Sequence, residues 1–240
     1  MDRSIILITN DDGIDSDGLR RLALCAREHG EVWVIAPDGQ RSAMSHSINL
    51  REPITVRPVA YPVEHVHAYA CSGTPADCIR LGLHNILPQK PDYVFSGINY
   101  GYNTGSDIQY SATVGAGLEA AWSGIHTVAF SENASPVHEV TEAYLPQLMD
   151  RMMHEPLGYN EIWNVNFPGL PLSECKGILE DRQVADCAFY RDSYDEEAQA
   201  DGSIRYHVNG RYSEDAPEGT DYRAIVDGYI SIGKVRNLRA

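Results

Sequence analysis

Apolar residues fall along this chain in short unbroken runs, separated by stretches with helical spacing. Ile5–Thr9 is a continuous run of the kind that fills a strand buried on both faces. Leu19, Leu22, Ala23 and Ala26 then repeat at three- and four-residue intervals, and His29-Gly30 stops that helix. Val32–Ala36 reads as a second buried strand, closed by Pro37. Thr74 predicts a helix N-cap, with Pro75 at the first helical position, Asp77 in the first turn, and Ala76, Ile79, Leu83, Ile86 and Leu87 on the buried face. Tyr93–Phe95 is a third strand. Ser111 opens a helix carrying Val114, Leu118, Ala121 and Trp122 along one side, with Gly124 after it, and Thr127–Phe130 is a fourth strand. Strands alternating with helices over residues 1–135 predict βαβ units and an α/β fold with a mostly parallel sheet covered on both faces.

The pattern then loosens. Glu142–Met153 predicts a helix started or kinked at Pro146, and Ile162–Phe167 predicts a strand. From Gly177 to Tyr212 polar and apolar positions alternate, with turn signals at Asp201-Gly202 and Asn209-Gly210, so extended hairpins are expected there. Thr220–Asp227 reads as a short helix stopped by Gly228, and Tyr229–Val235 as a last strand. No internal repeat, low-complexity tract or linker interrupts residues 1–240, which are expected to form one domain. The acidic cluster Asp192–Asp201 reads as a solvated hairpin tip. Val184, Phe189, Tyr190, Ile204, Tyr206 and Val208 give the hairpins an apolar face. A projecting two-stranded hairpin is marginal alone, so a second subunit is expected to cover it, in a homo-oligomer with the 177–240 region at its interface.

Charge narrows the partners. Nineteen Lys and Arg against 34 Asp and Glu leave a formal net charge of −15, and no run of five basic residues occurs. A non-specific grip on nucleic acid is thereby disfavoured, and an anionic substrate would need a cation or a helix N-terminus to overcome the global field. The apolar run after Met1-Asp2-Arg3-Ser4 is too short for a signal-peptide core, and no stretch of 18 apolar residues exists, so a cytoplasmic protein without a membrane span is expected. Five cysteines, none in Cys-x-x-Cys spacing, read as reduced and mostly buried thiols.

Three loops follow buried strands: Asn10-Asp11-Asp12-Gly13, Pro37–Ser45 and Ser96–Gly105. In a parallel sheet they converge on one edge, where ligands bind. Adjacent carboxylates at a buried strand end repel one another unless a cation intervenes. Asp11, Asp12, a serine hydroxyl and the Asn99 carbonyl form an all-oxygen set suited to Mg²⁺, Mn²⁺ or Ca²⁺ and unsuited to zinc. The bland alternative is an Asx-capped turn; placement after an apolar strand, with Asn99 on a matching loop, favours the metal. Ser111-Ala112-Thr113 at a helix start is an anion site, and Ser72-Gly73-Thr74 a second, unless either is plain capping. Asp15-Ser16-Asp17-Gly18 fails as an EF-hand loop, with Gly13 and Leu24 at ligand positions, and His65-x-His67 lacks a third ligand. There is no P-loop, no Gly-x-Gly-x-x-Gly and no Gly-x-Ser-x-Gly elbow.

Taken in order, Ile8-Thr9-Asn10-Asp11-Asp12-Gly13, Ala36-Pro37-Asp38 with Arg41-Ser42, Ser72–Cys78, Ser96-Gly97-Ile98-Asn99 with Gly101, Asn103 and Gly105, and Tyr110–Val114 resemble the SurE family of stationary-phase survival proteins, which are metal-dependent nucleotidases. Asn164–Pro168, Gly219–Tyr222 and Gly228–Ile232 extend the likeness over nearly the whole chain. The resemblance implies a Rossmann-like core and one divalent cation per subunit, Mg²⁺ or Mn²⁺, on Asp11, Asp12, Ser42 and Asn99. It also implies hydrolysis of nucleoside 5′-monophosphates, and of 3′-monophosphates too, in dimers or tetramers that exchange the C-terminal hairpin region. Ala43 and Ala112 stand where the family often has Gly. The expected chemistry is direct attack of water, with Asp11 and Asp12 as metal ligands, one of them also handling the water's proton. Asn10 and Asn103 would donate to phosphoryl oxygens, and Ser111 and Thr113 would complete the anion cradle together with the Ser72-Gly73-Thr74 turn. Asp11 as a phosphorylated nucleophile is the rival chemistry, but the Asp-x-Asp signature is absent. A non-catalytic nucleotide or metal sensor is the rival class, whose mark would be a lost ligand.

Overall fold

The computed structural model describes residues 3–237; Met1 and Asp2 of the N-terminal stretch lie outside them. A nine-stranded sheet runs through the molecule. In chain order its strands are β1 (Ile5–Thr9), β2 (Glu31–Pro37), β3 (Val56–Pro58), β4 (Val66–Cys71), β5 (Tyr93–Tyr100), β6 (His126–Glu132), β7 (Glu161–Phe167) and β8 (Ile178–Arg182). Two short pairs follow, built from β9 (Tyr190–Arg191), β10 (Tyr194–Ala198), β11 (Ile204–Val208) and β12 (Arg211–Tyr212), and β13 (Ile230–Arg236) returns to the sheet. The spatial order is β3-β4-β2-β1-β5-β6-β7-β13-β8, with β4 through β7 parallel and β3 and β13 antiparallel to their neighbours β4 and β7. Because the chain builds outward from β1 through β2 and β4, then returns to β5 on the other side, the sheet switches direction between β1 and β5. That is the point at which α/β sheets open a ligand crevice.

The helices are α1 (Asp17–Ala26), α2 (Pro75–Leu81), α3 (Ala112–Trp122), α4 (Glu139–His154) and α5 (Asp221–Val226). Alternate residues of β1 serve opposite cores: Ile6 and Ile8 pack with Leu19 and Leu22 of α1 and Leu148 and Met149 of α4, while Ile5 and Leu7 pack with Ile79 of α2 and Ala116 and Ala120 of α3. These are the two helical layers expected from the sequence. Local chemistry fixes the helix starts. Thr74 and Asp77 form a reciprocal capping box on α2, with 3.1 and 3.0 Å bonds. Ser111 caps α3 through the Val114 N–H at 3.0 Å, and Thr220 caps α5 through the Arg223 N–H. No described helix is long and apolar enough to cross a membrane.

Several elements differ from the sequence reading. Trp122, the last residue of α3, is 55 % exposed and lies edge-on to Tyr159. Leu83 and Ile86 lie in a π-helical turn, Gly82–Ile86, and with Leu87 are only partly buried. Helix α4 begins at Glu139 and carries Pro146 inside. Strands β3 and β4 were not anticipated; β4 extends the sheet beside β2, where His67 stacks on Trp33 at 4.2 Å. Strand β8 pairs in parallel with β13 rather than within a hairpin. Asn209-Gly210 does not reverse the chain: it interrupts one long arm, whose outer half is β10–β11 and whose base is β9–β12. The turn at Asp201-Gly202 forms the tip, and the acidic residues of the 192–201 cluster are exposed along the outgoing strand. Among the described residues the five cysteines are free thiols; Cys71 and Cys78 are buried and the other three half-buried.

Candidate active site

The loop after β1 turns sharply because Asn10 folds back on it. Its Nδ2 donates to the Gly13 carbonyl at 3.2 Å and to Ser16 Oγ at 2.6 Å, while its Oδ1 accepts the Gly13 N–H. Asn10 is wholly buried, so its amide shapes this turn and does not face the cleft. The turn presents Asp11 at the switch point. The loop after β2 is drawn across it by the Arg41 N–H, which bonds the Asp11 carbonyl at 2.6 Å, and by the Ser45 N–H on the Tyr110 carbonyl at 2.9 Å. This loop rests on α3 at Gly115, where any Cβ would come within 2.6 Å of the Ser45 carbonyl oxygen. Between these two anchors Ser42 is exposed toward the cleft and Ala43 takes a left-handed φ of 58°, a conformation that favours glycine. Asn99 comes from the end of β5; its Nδ2 bonds the Gly101 carbonyl at 2.8 Å, which leaves Oδ1 facing Thr113 Oγ1 at 3.5 Å.

Asp11, Ser42, Asn99, Asn103 and Ser111 therefore line one cleft of about 420 Å³. Asp12 points into an adjoining recess with Arg21, Glu132 and His138, and its Oδ2 accepts the Tyr100 N–H at 2.9 Å. Glu132 is almost fully buried there, paired with Arg21 and accepting the Thr141 hydroxyl at 2.8 Å. Burial, and then the neighbouring Asp12 charge, push Asp11 up to about 6, with the Thr113 hydroxyl pulling against them. Burial also raises Asp12, opposed by the Tyr100 N–H. Two carboxylates are thus held at a strand end at an electrostatic cost that a cation would relieve. The oxygen-only donors fit a hard divalent ion, and only two of the four are carboxylates; among the described residues no group of three His, Cys, Asp or Glu side chains has the geometry to hold a metal ion.

The remaining expected residues divide. Ser111 is at the cleft, at the start of α3. Thr113 is wholly buried, and its hydroxyl donates to Asp11 Oδ1 at 2.9 Å, so it orients the carboxylate rather than meeting a ligand. Asn103 lines the cleft with one amide hydrogen given to Ser131 Oγ at 2.8 Å, and its main chain is clasped by Asn164 and Asn166. Ser72, Gly73 and Thr74 are not brought to the cleft. Thr74 is spent on the α2 capping box and on the Ser47 carbonyl, and Ser72 Oγ accepts the Thr55 N–H. The sequence reading missed the Ser131, Asn164 and Asn166 scaffold; the alternation Asn164-Val165-Asn166 on a buried strand was its signal, since two buried amides on one face need partners.

Fold and site together define a Rossmann-like three-layer α/β protein with its ligand cleft at the carboxyl edge of the sheet. The sequence model of the family described as Survival protein SurE matches residues 6–188. The chain belongs to that family. It is 38 % identical to a protein named 5′-nucleotidase SurE from Synechococcus sp. (strain JA-3-3Ab), with 95 % of this chain and 89 % of the relative covered. It is 35 % identical to the protein of the same name from Thermosipho melanesiensis, over the same shares. The crystal structure of the SurE protein from Aquifex aeolicus superimposes with a TM-score of 0.82 at 33 % identity, covering 98 % of this chain and 94 % of that one.

Proposed function

We propose that this chain is a 5′-nucleotidase, a phosphoric monoester hydrolase that depends on a divalent cation and releases phosphate from nucleoside 5′-monophosphates, and from 3′-monophosphates as well. The observation that carries this reading is the cleft at the switch point, where the oxygen donors of Asp11, Ser42 and Asn99 stand beside the capped start of α3. Asp11, Asp12, Ser42 and Asn99 would hold one Mg²⁺ or Mn²⁺. Such an ion supplies charge stabilisation at the phosphoryl oxygens and acidifies water. The N-terminal turn of α3 and Ser111 bind the phosphoryl group, Asn103 flanks it, and Thr113 holds Asp11 in place. Water attacks phosphorus, the ester P–O bond breaks, and the nucleoside oxygen leaves with a proton. A carboxylate of the Asp11–Asp12 pair takes that proton from the attacking water and passes it to the leaving oxygen. The protein is proposed to act in the cytoplasm as one domain, in a dimer or tetramer joined through the 177–240 region.

Phosphate release from several 5′- and 3′-monophosphates, with Mn²⁺, Mg²⁺ or chelator, tests the reading. Metal-dependent release that Asp11→Asn abolishes together with metal binding is expected. Wild-type turnover in Asp11→Asn would overturn the site. Nucleotide binding without any release would favour the sensor alternative.

A further inference from the structure

The cleft that holds Asp11 has a second character. Beyond its oxygen donors it is walled by Phe189, Tyr190 and Tyr212, all from the base of the projecting arm, and by Tyr110. Phe189 and Tyr212 stack within 4° of parallel at 6.0 Å between centroids, and Tyr190 meets Tyr212 edge-on at 5.3 Å. The backbone that carries these rings is tied to the rest of the molecule. The Tyr190 N–H bonds Asp107 Oδ2 at 3.3 Å, the Ser106 N–H bonds the Cys187 carbonyl at 3.0 Å, and the Ser213 N–H bonds the Phe189 carbonyl at 2.8 Å. The chain passes directly against the Tyr190 ring at Gly210, where a Cβ would lie 2.2 Å from Cε1, and the Gly210 N–H bonds the Tyr190 hydroxyl at 3.1 Å. Large aromatic rings left accessible on an anchored backbone form a surface suited to a flat π-system.

We propose that this aromatic wall is the nucleobase subsite and that Phe189 and Tyr212 set the preference for nucleotides over phosphomonoesters that lack a base. The inference rests on the nucleotidase reading of the same cleft. A base stacked on the wall keeps its sugar phosphate in the cleft with Asp11 and Ser111. Base–aromatic stacking tolerates any base, because every base has a π-face.

The test compares kcat/KM for AMP with that for ribose 5-phosphate, which keeps the phosphate and sugar but lacks the base, in wild type, Tyr212→Ala, Phe189→Ala and Tyr212→Phe. The wild type is expected to prefer AMP. The AMP to ribose 5-phosphate ratio should fall about 5- to 150-fold in the alanine variants, the range for losing one base–aromatic stack, chiefly through KM, and should recover in Tyr212→Phe. Tyr212 is 72 % exposed, so its alanine variant keeps the fold even where Phe189→Ala does not. Hydrolysis of both substrates with a ratio that neither alanine variant moves would overturn the subsite alone. Hydrolysis of neither by the wild type would overturn the nucleotidase reading and the subsite together.

Discussion

Thr113→Val tests how the site is held. Valine keeps the buried volume and removes only the hydroxyl that donates to Asp11 Oδ1 across 102 residues of sequence. Thr113 is fully buried, so no water replaces the lost donor. A buried acceptor stripped of its partner costs about 1–3 kcal/mol, and about 1.4 kcal/mol is a tenfold change in an equilibrium constant. That cost falls on the arrangement of Asp11 that binds metal, and partners that orient a metal ligand are worth about 10- to 100-fold in affinity. Thr113→Val should therefore weaken Mn²⁺ binding by about 10- to 100-fold, read by calorimetry with the metal alone, and raise the Mn²⁺ concentration for half-maximal phosphate release in parallel. Saturating metal should restore most of the turnover, and Thr113→Ser should behave like wild type. If Thr113→Val binds Mn²⁺ within about threefold of wild type, well under the expected range, Thr113 does not orient the carboxylate and the cradle role read from the sequence regains its place.

Three further outcomes follow from other contacts. Gly115→Ala should push Ser45 and the Ser42 loop off α3 and lower kcat/KM about 10- to 100-fold while the thermal midpoint moves little, since small misplacements near the chemistry are amplified. The His46 hydrogen bond at 2.7 Å and then the Arg80 bond at 3.0 Å hold Glu119 below its ordinary 4.5, against its partial burial; this pair stabilises above that value and is lost as pH falls through the lowered one, so Glu119→Gln should flatten the acid side of the midpoint–pH curve, and an unchanged acid limb would refute the pairing. Sedimentation at micromolar concentration should show an oligomer that loses assembly when residues 177–212 are removed, and a clean 26.6 kDa monomer of the intact chain would refute the role given to that region.

The central sheet was legible because parallel strands buried on both faces leave unbroken apolar runs, and the helix starts because Ser111, Thr74 and Thr220 carry their own caps. Strand β4 hid because His67, Ala68, Tyr69 and Ala70 give neither a run nor a strong alternation; its partner Trp33 stabilises it from the neighbouring strand. Convergence of Asp11, Ser42, Asn99 and Ser111 on one edge follows from the parallel direction of the strands, which the alternation of elements predicts; the strand order that sets their loops side by side is seen only in the fold. The uses of Asn10, Thr113 and Thr74 were not legible. A hydroxyl or amide at a loop reads the same whether it meets a ligand, caps a helix or braces a carboxylate, and only tertiary partners such as Ser16, Asp11 and Ser47 decide.

The direction switch beside β1 also sets when the site can exist. Asp11 and Asp12 emerge early in synthesis, but the bonds that fix them reach forward, to Thr113 over 102 residues and to Tyr100 over 88, and Asn103 in turn waits for Asn166, 63 residues on. Contacts of such sequence separation close late. A nascent chain shorter than Asn166 therefore carries two acidic residues on an unbraced loop and no cleft, and any cation capture by the site becomes a property of the finished sheet rather than of its first strand. Truncated or stalled products of this chain should be inert toward the same ligands.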